Sequence, residues 1–298
     1  MFDSAAKFGP AIGVPLIGLL LLHFGWRWSF VATGVASLLY FVAFFAFYRN
    51  PSEDTKLSRI ERDFIQEGGA QPEDPAKSAA SASLSYLIGQ RKVLGLALGS
   101  GAYNYTFYLL LTWMPSYLSE ARHMDLSHSV VYSSFPWLFA TCTDILIGGF
   151  LVDALVKRGW DAPLVRQSVL IGGTTLALGL IGAGIAQTTM GALFWISLAI
   201  GGLSVASPVL WSIPSLIAPR ESVGTLGGIM NFSNQISAIA APIATGYIVH
   251  ATGSYFWAFA TAAAYILVGI GGYAFLLGRI ETIPEPPESI TSAGARAG

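Results

Sequence analysis

Residues 28–48, WSFVATGVASLLYFVAFFAFY, contain no charged side chain and are bounded by Arg27 and Arg49. Crossing the hydrocarbon core of a bilayer takes about 20 mostly apolar residues in helix. The stretch meets that length, so it reads as a transmembrane helix. Segments of the same kind lie on both sides of it, at 5–23, 93–118, 129–152, 167–187, 191–215, 223–250 and 255–278. The expected fold is therefore an all-α membrane protein with eight transmembrane helices. Composition agrees: 53% of the 298 residues are hydrophobic and 11% charged, with mean hydropathy +0.59. A soluble domain carries about 25% charged residues, so there are too few here to cover a globular surface. The 33 glycines and 13% aromatics suit closely packed membrane helices with Trp and Tyr at the interfaces.

Several classes are excluded on the same grounds. A net charge of −1 offers no basic field for nucleic acid. The single Cys142 rules out an internal disulfide and a cysteine-based metal site. The sequence has no G-x-x-x-x-G-K-[ST] loop, so ATP is not its drive, and neither cofactor nor metal is expected. Loop residues do not assemble a nucleophile, base and orienter, so an enzyme is not expected. The opening residues, with Asp3 and Lys7, lack the order of a cleavable signal peptide.

Every connection but one is short. The exception, 49–92, holds 14 of the 33 Lys, Arg, Asp and Glu residues. Within it Ser58-Arg59-Ile60-Glu61 has capping-box spacing and should start a short surface helix, while 68–85 reads as flexible linker. The chain thus divides into two helices (1–48), a linker (49–92), a six-helix bundle (93–280) and a tail (281–298). Eight crossings put both termini on one side, with Arg49, Lys56, Arg59, Arg62, Lys77, Arg91, Lys92, Lys157, Arg158, Arg166, Arg220, Arg279 and Arg296. The other side has only Arg27 and Arg122. Basic residues collect in the cytoplasm, so the linker and both termini are expected there, in a plasma (inner) membrane. His23, His123, His128 and His250 then fall at the outer face, as interfacial or loop residues without metal-ligand spacing.

Six helices after a charged linker make one complete half of a two-half transporter, and the two before it look like the end of another. Lys7 lies only about 16 residues before the outer end of its helix, roughly 24 Å at 1.5 Å per residue. A full span needs about 30 Å. The chain is therefore expected to lack the start of its first half.

These residues resemble the major facilitator superfamily and, within it, the anion:cation symporters that carry sugar acids and related carboxylates. Phe2-Asp3-Ser4-Ala5-Ala6-Lys7-Phe8-Gly9-Pro10 resembles the family's fifth helix. Phe24-Gly25-Trp26-Arg27-Trp28-Ser29-Phe30 is similar to the turn into the sixth, and Tyr48-Arg49-Asn50-Pro51 to the entry of the central loop. Leu111-Thr112-Trp113-Met114-Pro115-Ser116-Tyr117-Leu118 matches the end of the seventh. Gly148-Gly149-Phe150-Leu151-Val152-Asp153 with Lys157-Arg158-Gly159 resembles the eighth helix and its loop, and Asn231-Phe232-Ser233-Asn234 with Pro242 the eleventh. The resemblance implies that four helices are missing, that a small carboxylate and protons are the partners, and that transport proceeds by alternating access in a lipid bilayer. A monomer is expected. A non-transporting fragment, or an intramembrane enzyme or structural membrane protein, are the rival readings.

Two charges lie inside apolar helices. Lys7 in the bilayer would cost roughly 2.5–3.5 kcal/mol, so it should face a polar interior and could receive a substrate carboxylate; otherwise it snorkels to the interface. Asp144 is a candidate proton carrier, or a structural Asp bonded between helices, with Thr141 on its face as a possible donor. Polar stripes run along three helices: Asn104, Tyr108 and Thr112 with Tyr105 beside them; Ser204, Ser207, Trp211 and Ser215; and Asn231 and Asn234 with Gln235. Asn104, Tyr105, Tyr108, Ser207, Trp211, Asn231 and Asn234 are candidates for substrate hydroxyls, the alternative being hydrogen bonds between helices. The resemblance assigns Gly149, Asp153, Lys157 and Arg158 to a gating charge lock, with Ala154 where the stronger motif has Arg. Gly95/Gly99 and Gly179/Ala183 have small-xxx-small spacing for close helix packing.

Overall fold

The computed structural model describes residues 3–49, 58, 60–61, 82–219 and 222–285. Most of the 49–92 linker, Arg220 and the tail from 286 lie outside the described residues. Two units are distinguished, 1–19 with 81–298, and 20–80. In the second, α2 (Trp26–Phe47) is exposed nearly all round, Ser29 being its buried residue. So apolar a face does not suit water. The capping box forms as the spacing predicts: Ser58 N–H donates to Glu61 Oε2 at 2.9 Å, and Glu61 N–H to Ser58 Oγ at 3.2 Å.

The larger unit is built from α1 (Ala5–Phe24, shared with the smaller unit), α3 (Leu84–Ile88), α4 (Arg91–Ser116), α5 (Leu126–Tyr132), α6 (Ser134–Thr143), α7 (Val152–Lys157), α8 (Ala162–Leu176), α9 (Leu180–Ile185), α10 (Thr189–Ile217), α11 (Val223–Thr252) and α12 (Tyr255–Gly271). π-helical stretches continue α4 over Tyr117–Ala121, join α6 to α7 over Asp144–Leu151, and extend α12 over Gly272–Leu277. The linker reading of 68–85 ends early, because the Ser83 hydroxyl caps α3 by accepting from Tyr86 N–H.

The eight expected spans correspond to helices. Six of them, Ala5–Phe24, Trp26–Phe47, Ser127–Lys157, Ala162–Ile185, Thr189–Ile217 and Tyr255–Leu277, are long and apolar enough to cross a membrane on those grounds alone. The other two, α4 with 26 residues and α11 with 30, have the length but a more polar composition. They carry the Asn104 and Asn231 stripes and pack along one another, Trp113 Nε1–H of α4 donating to Pro242 O of α11 at 3.2 Å. Part of that polarity, Asn104, Tyr105 and Asn234, is buried, whereas Asn231 and Gln235 are exposed.

Helix α10 is the most enclosed of the apolar spans. Against α8 its backbone comes close, because a Cβ on Gly173 would lie 2.6 Å from Gly202 O. Such contact needs glycine on both sides. Gly95 is likewise pressed against the Gly272 carbonyl of the last helix, as its spacing predicts.

Two apolar cores result. One gathers Val93, Val152, Val165, Ile217 and Leu277 at the end where α4 begins; the other gathers Leu118, Trp137, Leu193, Tyr255 and Phe259 at the opposite end. At the first end residues 279–284 form a strap. Ile283 N–H donates to Ile217 O at 2.8 Å, Lys92 Nζ to the Arg279 and Glu281 carbonyls at 3.0 and 2.9 Å, and Tyr86 OH to Pro284 O at 2.8 Å. At the other end the Arg122 guanidinium donates to the Ala183 and Ala186 carbonyls at 2.9 and 2.7 Å, closing the C-terminus of α9. A cation there also meets the negative end of the helix dipole.

Candidate functional site

A charged cluster borders the first core, to which Tyr103 belongs. Lys7 has 1% of its surface exposed, as has Asp144. The ammonium ion-pairs with the Asp144 carboxylate, Nζ to Oδ2 at 3.0 Å, and donates to Ser207 Oγ at 2.8 Å. It also binds the Asp3 carboxylate in a short contact. The direct hydrogen bonds go to Asp3 and Ser207, and Asp144 accepts none from the described residues, so its tie to Lys7 is one of charge. Tyr103 OH donates to Ser207 Oγ at 3.2 Å and completes the group.

Each member is placed by local structure. Asp3 and Lys7 are four residues apart at the start of α1, one turn of helix, which sets their side chains on one face. Asp144 opens the eight-residue π-helical stretch, a departure from α geometry that is frequent at functional positions. Next to it, a Cβ on Gly148 would lie 2.9 Å from Val205 O of α10, so only glycine lets this segment approach Ser207's helix. Two carboxylates sharing one ammonium make the cluster formally −1 when both are ionised. A buried cluster of this kind is costly unless geometry and hydrogen bonds compensate.

The other candidate residues are distributed as follows. Asn104 is buried and donates to Ser100 O at 3.0 Å. Tyr105 is buried on the same helix, edge-on to Tyr265 at 5.7 Å, its hydroxyl without a hydrogen-bond partner among the described residues. Asn234 of α11 is 2% exposed, and neither its amide nitrogen nor its oxygen has a partner among the described residues. Tyr108 is half-buried. Trp211 and Asn231 are exposed. The Ser204–Ser215 stripe is thus divided, Ser204 and Ser207 inside and Trp211 and Ser215 outside. Thr141 does not reach Asp144; its hydroxyl donates to Trp137 O at 2.9 Å, back along its own helix.

Gly149, Asp153 and Lys157 line a cleft of about 490 Å³ with Gly148, Arg166 and Pro208. Arg158 is exposed and does not line it. Among the described residues Asp153 pairs with neither Lys157 nor Arg158. The closely packed glycine of the motif is Gly148 rather than Gly149, since a Cβ on Gly149 would touch only its own helix at 3.7 Å. Asp3 and Tyr103 were not singled out by the sequence pattern. The four-residue spacing of Asp3 from Lys7 was the available signal for the first; Tyr103 lies one position off the Asn104 stripe and gave none.

Residues 1–242 match the Major Facilitator Superfamily. The chain belongs to that superfamily. Over 284 residues it is 35% identical to the uncharacterized transporter YybO of Bacillus subtilis (strain 168), covering 95% of this chain and 65% of that one. Over 292 residues it is 28% identical to the D-galactonate transporter of Escherichia coli O6:H1, covering 95% and 66%. The chain therefore spans just under two thirds of the length of these relatives. In fold it is similar to a bacterial homolog of the human lysosomal transporter Spinster in an inward-facing, occupied conformation. That similarity has a TM-score of 0.56 at 15% identity, over 92% of this chain and 63% of that one. As a superfamily member with several apolar helices of spanning length, the protein is an integral membrane protein.

Proposed function

We propose that this protein transports a sugar acid or related carboxylate by alternating access, with protons moving in the same direction. It acts as a carrier and not as an enzyme. The observation that carries the reading is Lys7, a buried ammonium with hydroxyl groups beside it. A sugar acid needs a cation for its carboxylate and neutral donors and acceptors for its hydroxyls. Lys7 supplies the first; Asn104, Tyr105, Tyr108, Ser207, Trp211, Asn231 and Asn234 supply the second. The likeness to a relative named for D-galactonate supports the substrate class.

Asp144 carries the proton in this scheme. A buried carboxylate in charge contact with a single lysine is a group whose ionisation depends on what else that lysine binds. The cleft around Gly149, Asp153 and Lys157, with Arg158 beside it, is the gating region. Following the Lys and Arg distribution, both termini and the 49–92 linker are cytoplasmic, and the protein works as a monomer in the plasma (inner) membrane. Cells expressing the protein should accumulate labelled D-galactonate or another sugar acid above vector controls, and a protonophore should abolish the accumulation. No accumulation of any sugar acid in a panel would overturn the reading.

A further inference from the structure

We propose that Asp3 is a built-in competitor of the ligand: its carboxylate occupies the anion seat on Lys7, and a carboxylate ligand binds by displacing it. The inference rests on the reading that Lys7 receives the ligand's carboxylate, and it answers a difficulty in that reading. With 1% of its surface exposed and three partners around it, Lys7 offers no open face to an incoming anion. One of its carboxylates has to leave.

The two carboxylates differ in their freedom to do so. Asp144 has 1% of its side chain exposed, and its segment is held against α10 by the close approach of Gly148 to Val205 and Pro208. Moving it means moving a helix. Asp3 has 18% of its side chain exposed, against 1% for Asp144. Rotation about its own side-chain torsions takes its carboxylate off Lys7 without disturbing the helix. An anion that takes its place finds the same ammonium, with Ser207 Oγ at 2.8 Å from it and the Tyr103 hydroxyl next to Ser207. One carboxylate replaces another of the same size and charge, so the seat keeps its charge balance. The displaced Asp3 carboxylate turns to its exposed side.

The test is equilibrium binding to the full chain in detergent, by calorimetry, comparing wild type with Asp3→Asn. D-galactonate is one probe and formate, a bare carboxylate, the other. Removing the competitor should tighten binding by about tenfold, equivalent to about 1.4 kcal/mol. The gain should vanish when Lys7→Met is added. A merely structural Asp3 would leave affinity unchanged or lower it, and either result overturns the proposal. Asp3→Ser and Asp3→Gln provide the same comparison if Asp3→Asn does not fold. Tighter formate binding by Asp3→Asn, with no D-galactonate binding to any form, would uphold the competitor while overturning the sugar-acid reading. Wild-type D-galactonate binding that Asp3→Asn fails to strengthen does the reverse.

Discussion

Lys7 Nζ lies 3.0 Å from Asp144 Oδ2, joining residues 137 positions apart, and each of the two side chains is 1% exposed. Removing one partner of such a pair leaves an uncompensated buried charge, which typically costs about 3–5 kcal/mol. Lys7→Met strands two carboxylates at once. It should lower thermal stability in detergent and abolish sugar-acid uptake. Lys7→Met with Asp144→Leu and Asp3→Asn should regain most of the stability and none of the uptake. Equal melting temperatures for Lys7→Met and wild type would show that the cluster contributes nothing to holding α1.

Asp144→Asn keeps the shape of the side chain and removes the charge. If Asp144 carries the proton, the variant should still exchange labelled sugar acid across the membrane but no longer concentrate it against a gradient when the outside is acidified. Counterflow and proton-driven uptake, measured on the same proteoliposomes, separate the two activities. Proton-driven accumulation at the wild-type level would make Asp144 a structural residue.

A buried polar side chain without a partner costs roughly 1–3 kcal/mol, and Asn234 has two such atoms among the described residues. Asn234→Leu should therefore raise the melting temperature. If Asn234 contacts a substrate hydroxyl, the same variant should weaken sugar-acid binding, because the group it offered is gone. Stability gained together with affinity retained would remove Asn234 from the substrate site.

Gly148 and Gly149 are neighbours with opposite expectations. Gly148→Ala places a methyl group 2.9 Å from Val205 O and should destabilise the protein by about 1–3 kcal/mol. Gly149→Ala meets only its own helix, so its melting temperature should stay near that of wild type or rise slightly. Matching losses for both would mean that the close approach of Gly148 to α10 is not what sets its cost.

The fold was largely legible in the sequence because helix length and apolar content in a membrane are local properties. All eight helices could be found without knowing what they touch, six of them long and apolar enough to cross a membrane. The site was legible in part, for the same reason. Lys7 and Asp144 stood out as charges in apolar helices, yet nothing in a linear pattern says that α1 and the Asp144 segment meet. Gly148 and Gly149 are indistinguishable in the sequence until the neighbouring helix is present, and only Gly148 is pressed against it. The Ser204–Ser215 stripe has the spacing of one face, whereas α10 is enclosed at Ser204 and Ser207 and exposed at Trp211 and Ser215. Asp3 was passed over because it precedes the first apolar run, where a charge needs no explanation.

The strap after the last helix has a mechanical meaning. Through Ile283 and Ile217, Lys92 and the Arg279 carbonyl, and Tyr86 and Pro284, it laces the ends of α3, α4, α10 and α12 to one another. Any torque applied to one of these helices is passed to the rest before it can bend them singly. A spin label at residue 283 would accordingly follow the tilt of the whole larger unit, as a compass needle fixed to a deck follows the ship.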